Sequence, residues 1–133
     1  MNARLLLEKL KLDPNLFQSV KAEKMNLSQP IAEHAGWLFR HIYSKAYLGK
    51  ACESGKLPRE HHGILHVGHA AYHTRVFANL YRLHGDQEAL ALTEDDIKLI
   101  QIAALFHDAA RVNDDKDDTD HESGLLLYFY LLE

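Results

Sequence analysis

A lone cysteine, Cys52, in a chain of 133 residues excludes a disulfide framework and a thiolate zinc site, so any metal must be held by His, Asp and Glu. Long apolar runs are missing too: none approaches the roughly 20 residues needed to cross a bilayer. In "MNARLLLEKLKL" Glu8, Lys9 and Lys11 interrupt what a signal peptide would keep apolar, and the expectation is a cytosolic fold with no membrane partner. An excess of positive charge is also absent. A formal net charge of −4 disfavours a nucleic-acid polymer, which requires a basic surface to release counterions, and leaves a compact phosphorylated ligand in a local basic pocket. With 47% hydrophobic and 26% charged residues, the length corresponds to one domain, residues 1–133, with a single core.

Strand-like alternation is lacking, and the periodicity is helical throughout, which predicts an all-α fold. Leu5, Leu6, Leu10 and Leu12 form a short amphipathic opening segment. Asp13 reads as an N-cap with Pro14 at the first helical position. After "SQPI", Ile31, Ala35, Leu38, Ile42 and Ala46 share one face until Gly49 or Gly55. Trp37, Phe39, Tyr43 and Tyr47 on that stretch read as core. "GKLPRE" is a linker, and a long helix is predicted from His62 or His66 to His84, stopped by Gly85. Thr93 to Asp96 fits a capping box that opens "IKLIQIAALFHDAAR" as a buried helix. The acidic "VNDDKDDTDHES" reads as a solvated loop in which Asp120 caps a final helix. That helix, "GLLLYFYLLE", carries no stop signal, and the expectation is a fold cut at its C-terminal end.

Five of the ten histidines fall within "HHGILHVGHAAYHTRV". His62, His66, His69 and His73 are spaced by 4, 3 and 4 and share one helical stripe if the helix reaches back to His62. The stripe runs on into Val76, Phe77, Leu80 and Leu83, so this face is expected to pack into the core as well. Several imidazoles side by side each need a partner, which argues for a shared function. The second motif, His107-Asp108, ends the buried "AALF" helix 41 residues after His66 and sets an imidazole and a carboxylate where that helix emerges.

An early helical histidine followed by "AALFHD" resembles the HD superfamily of phosphohydrolases. That resemblance implies a helical phosphodiesterase fold with a divalent metal on His66, His107 and Asp108. Imidazole with carboxylate suits Mn, Fe, Ni or Zn better than Ca, and so few ligands imply weak affinity.

"REHHGILHV", then "ALFHDAAR", then "DDKDDTDHES" is similar, more narrowly, to the phosphodiesterase domain of the SidE family of Legionella effectors. This resemblance implies secretion into a host cell, action on ADP-ribosylated or phosphoribosyl-linked ubiquitin, and a site of two histidines and a glutamate that requires no metal. The first histidine matches His62 or His66, and the glutamate matches Glu122. The second histidine of the family lies well beyond its glutamate, past Glu133, so the site is expected to be incomplete. In that reading His62 or His66 attacks the phosphoryl group, Glu122 orients it, and Arg75 and Arg111 are candidate phosphate clamps. An incomplete site equally fits a binding module or relic without turnover, and an apolar terminal helix could pair with a second copy.

Overall fold

The computed structural model describes residues 1–47, 55–115 and 118–132. Cys52, the Gly49 stop signal, Asp117 and Glu133 lie outside the described residues. Among the described residues the chain forms α-helices and one π-helical turn, with no strand. In chain order these are α1 (Ala3–Lys9), α2 (Gln18–Ala22), α3 (Ile31–Leu38) continued by a π turn (Phe39–Tyr43), α4 (Ile64–Leu83), α5 (Gln87–Ala91), α6 (Glu94–Phe106) and α7 (Asp120–Leu131).

Local chemistry explains several boundaries. Thr93 and Asp96 form the reciprocal capping box that opens α6, the Thr93 side chain accepting from the Asp96 amide and the Asp96 carboxylate from the Thr93 amide. Gly85 follows α4 at φ +77°, the left-handed conformation that ends helices where no Cβ obstructs it.

Other boundaries differ from the sequence reading. Asp13 closes a local turn onto the Asn15 amide instead of capping a helix, and α2 starts only at Gln18. Thr119 stands at the N-cap of α7 without a side-chain bond, and Asp120 is the first helical residue, not the cap. Helix α3 goes over into the π turn and stops at Ser44.

Helices α4 and α6 form the principal packed pair. Val67 and Ala71 of α4 are buried against the side of α6 that carries Gln101, Ile102 and Leu105, and the Gln101 amide donates to the Ala71 carbonyl at 3.0 Å. Trp37 is wholly buried at the centre, its ring 4.8 Å from Tyr130 of α7, and Phe106 lies 4.9 Å from Tyr130. Leu6 and Leu7 bring α1 onto this core beside α7. His34 is buried with Nδ1 2.5 Å from the Tyr130 hydroxyl, which ties α3 to α7.

The stripe of α4 that carries the histidines does not enter the core. Phe77, Leu80 and Leu83 are exposed, on the side of α4 turned away from buried Val67 and Ala71. Helix α6 is likewise buried on one side only, with Leu99 and Ile100 facing out. Arg82 stitches the end of α4 to the next segment by donating to the carbonyls of Ala89 and Leu92 and to Glu94.

Candidate active site

Helix α6 ends at Phe106, and its last carbonyls have no intrahelical donor. One of them, that of Leu105, accepts a hydrogen bond from the Tyr43 hydroxyl at 2.6 Å. The turn that follows is pinned from α7, where Ser123 Oγ accepts from the Ala110 amide at 3.1 Å. These bonds hold His107 and Asp108 in place as the helix unwinds. Asp108 points inward and is almost fully buried, whereas His107 stays open to solvent.

The second half of the site arrives from the linker. Helix α4 begins at Ile64, so His62 precedes it and is not part of a continuous helical stripe. A tight reversal carries His62 back toward the cluster instead. A Cβ at Gly63 would sit 2.3 Å from the Arg59 carbonyl oxygen and 2.9 Å from that of Pro58. Only glycine fits there, and Gly63→Ala is expected to displace His62 and cut activity at least tenfold, which the rate and a melting curve would separate from global unfolding. Arg59, at φ +54°, braces the reversal by donating to the Lys45 carbonyl and laying its guanidinium over Tyr47 at 5.0 Å.

The two halves meet around one oxygen. Asp108 Oδ2 lies 3.2 Å from His62 Nδ1, 3.2 Å from His66 Nε2 and 3.1 Å from His107 Nε2. His66 Nε2 is also 3.1 Å from His107 Nε2. Asp108 forms the floor at 3% exposure, and the three imidazoles form the rim at 24–44%. On the other carboxylate oxygen, buried Arg111 approaches Oδ1 at 3.5 Å and also donates to the carbonyls of Asn113 and Asp114.

Proton positions follow from the acceptors. A carboxylate only accepts, so the hydrogen bond from His62 Nδ1 leaves the Nε2 lone pair of the neutral ring turned away from Asp108. His107 Nδ1 donates to the Ala104 carbonyl at 2.6 Å, so its Nε2 donates to Asp108 only when the ring is protonated and otherwise turns a lone pair toward Asp108 and His66. Burial works against the Asp108 anion, but the hydrogen bonds and charges of His107 and His62 outweigh it and bring the carboxyl down to about 2. Burial, together with the neighbouring His107 and His62, holds the His66 imidazole below its ordinary value, against the pull of Asp108.

The structure thus brings together His62, His66, His107, Asp108 and Arg111. Glu122 and Arg75 sit elsewhere. Glu122, in the first turn of α7, binds Lys9 of α1 at 2.6 Å, and that ammonium holds its carboxyl below the usual range. Arg75 lies nine residues after His66 on α4, about 13 Å along the axis, and pairs with Glu94 at 2.8 Å. Sequence reasoning missed Arg59, and its only local signal was the Pro58 turn. The side chain of Arg111, expected as a phosphate clamp, is buried behind Asp108.

No helix among the described residues is long and apolar enough to cross a membrane. A family model of the SidE phosphodiesterase (PDE) domain matches residues 23–133, which include every member of the cluster. No curated protein and no solved structure matches this chain. The family match covers all but the first 22 residues, spans both halves of the imidazole–carboxylate cluster, and gives the chain a phosphodiesterase-type function; it belongs to the SidE phosphodiesterase domain family.

Proposed function

We propose that the cluster cleaves a phosphoester or pyrophosphate bond, with ADP-ribosylated or phosphoribosyl-linked ubiquitin as the substrate that family membership suggests. The carrying observation is the set of three imidazoles converging on Asp108 Oδ2 at 3.1–3.2 Å, open to solvent on the imidazole side. Neutral imidazole can attack phosphorus or take a proton at neutral pH. His62 is the better attacking group of the open pair His62 and His66, because its Nε2 is free of the cluster while the Nε2 of His66 is engaged by Asp108 and His107. Arg111 adds positive potential behind Asp108. Arg75 and Glu122 have no part in this scheme, being engaged by Glu94 and Lys9 away from the cluster. Delivery into a host cell as an effector fits the family, and such a protein would work in the host cytoplasm.

A metal-dependent HD-type reaction is the second reading, supported by His107. Its Nε2 lone pair faces the Asp108 oxygen at 3.1 Å, which is repulsive unless a proton or a cation lies between them. Donor atoms of His62, His66 and Asp108 also lie within 4.8 Å of one another. Ligand separations of about 3.0–3.4 Å are expected around a first-row ion with bonds near 2.1 Å. His62, His66 and Asp108 would hold such an ion, with His107 beside Asp108 and its ring oriented by the Ala104 carbonyl. Such an ion would supply Lewis acidity and an activated water.

Hydrolysis of bis(4-nitrophenyl) phosphate and of ADP-ribosylated ubiquitin, each with EDTA and with added Mn²⁺, separates the readings. Turnover in EDTA is expected. Turnover only with Mn²⁺ assigns the metal reading, and no turnover under either condition leaves a phosphate-binding module or relic.

A further inference from the structure

A pocket of about 370 Å³ opens between the end of α6 and the start of α7. His107 and Phe106 form one wall, and Asp120, Gly124 and Leu127 form the other. Its size falls in the lower part of the range for small-ligand sites. Three polar residues line it, His107, Asp120 and Ser123, of which Ser123 is already engaged by the Ala110 amide. One of them, His107, also belongs to the imidazole cluster, so anything in this pocket lies one ring away from His66 and Asp108.

Gly124 is the unusual residue of this wall. It sits inside the twelve-residue helix α7, where glycine costs about 1 kcal/mol relative to alanine. Its φ is not positive, and a Cβ built on it would meet nothing within 4 Å. Neither backbone conformation nor close packing therefore calls for glycine. What its missing side chain preserves is the open volume of the pocket.

The acidic first turn of α7 is divided between two faces. Asp120 and Glu122 are about 200° apart around the helix. Glu122 is engaged by Lys9 on α1, and Asp120 is the carboxylate that lines the pocket beside His107.

We propose that this pocket holds the organic portion of the phosphoester, with the flat or apolar part against Ala103 and Leu127, a hydroxyl or amine donated to Asp120, and Gly124 keeping the wall open. The assignment rests on the phosphoester reading of the cluster. Asp120 would repel a second phosphate, so the group accepted here is neutral or cationic, which orients the substrate with its phosphoryl group toward His62 and His66.

Titration of the ¹⁵N-labelled chain with inorganic phosphate, phenyl phosphate and glycerol 1-phosphate tests this. Inorganic phosphate is expected to move only signals of the cluster, whereas phenyl phosphate also moves the amides of Gly124 and Asp120. Gly124→Leu fills the pocket with a better helix former, so the variant is expected to fold, lose at least tenfold in phenyl phosphate affinity, and bind inorganic phosphate within twofold of the parent. Asp120→Asn is expected to weaken glycerol 1-phosphate while leaving phenyl phosphate unchanged. If phenyl phosphate moves only cluster signals and binds Gly124→Leu as it binds the parent, the pocket assignment is overturned and the phosphoester reading stands. If inorganic phosphate and phenyl phosphate both fail to bind, the phosphoester reading falls and the pocket assignment falls with it.

Discussion

Asp108→Ala is expected to abolish measurable turnover, a loss of at least about 10³-fold, and to destabilise the fold by about 3 kcal/mol. The carboxylate is the single acceptor on which His62, His66 and His107 converge, and Arg111 is buried against its other oxygen. Removing it takes away the carboxylate beside the buried Arg111 guanidinium and leaves three rings without a common anchor. Stability should also follow pH with a definite sign. The carboxyl sits at about 2 against an ordinary 3.8, so the unfolded chain binds its proton first on acidification. The stabilisation is fully present above pH 3.8 and is lost as pH falls through about 2. That depression corresponds to roughly 2.5 kcal/mol at neutral pH. Chemical denaturation of the parent and of Asp108→Asn at pH 7 and pH 3 reads it directly. A variant as stable as the parent at pH 7 would show that Asp108 is not the charged floor of the site.

Much of this arrangement was legible because it rests on local signals. The Thr93 capping box, the Gly85 stop and the apolar run that ends in His107-Asp108 are short-range patterns, and all three appear where the pattern places them. The pairing of His66 with His107 across 41 residues followed from two helices that had to bury their apolar sides against each other. What escaped was set by tertiary contact. Helix α4 begins at Ile64 because Gly63 approaches the carbonyls of Pro58 and Arg59, an encounter between backbone segments that no periodicity encodes. The exposure of Phe77, Leu80 and Leu83 could not be read either, since an apolar stripe does not say whether a partner covers it. Glu122 is the sharpest case. Its place in the first turn of α7 was readable, but its partner, Lys9, lies 113 residues away.

His62→Gln is expected to lower kcat by about 10³-fold with the melting temperature changed by no more than a few degrees, because His62 sits at the rim and leaves no buried charge unpaired when removed. His66→Gln should cost less, about 10²-fold, since His66 positions the cluster through Nε2 and presents no free Nε2 to a substrate. The pH profile separates attack from positioning. If neutral His62 attacks, His62→Gln removes the acid limb of kcat, whereas His66→Gln keeps that limb. Asp108→Asn removes the charge that supports protonation of His66, so that imidazole is expected to fall further below its ordinary value. An acid limb that persists in His62→Gln and disappears in His66→Gln would reverse the two roles and make His66 the attacking group.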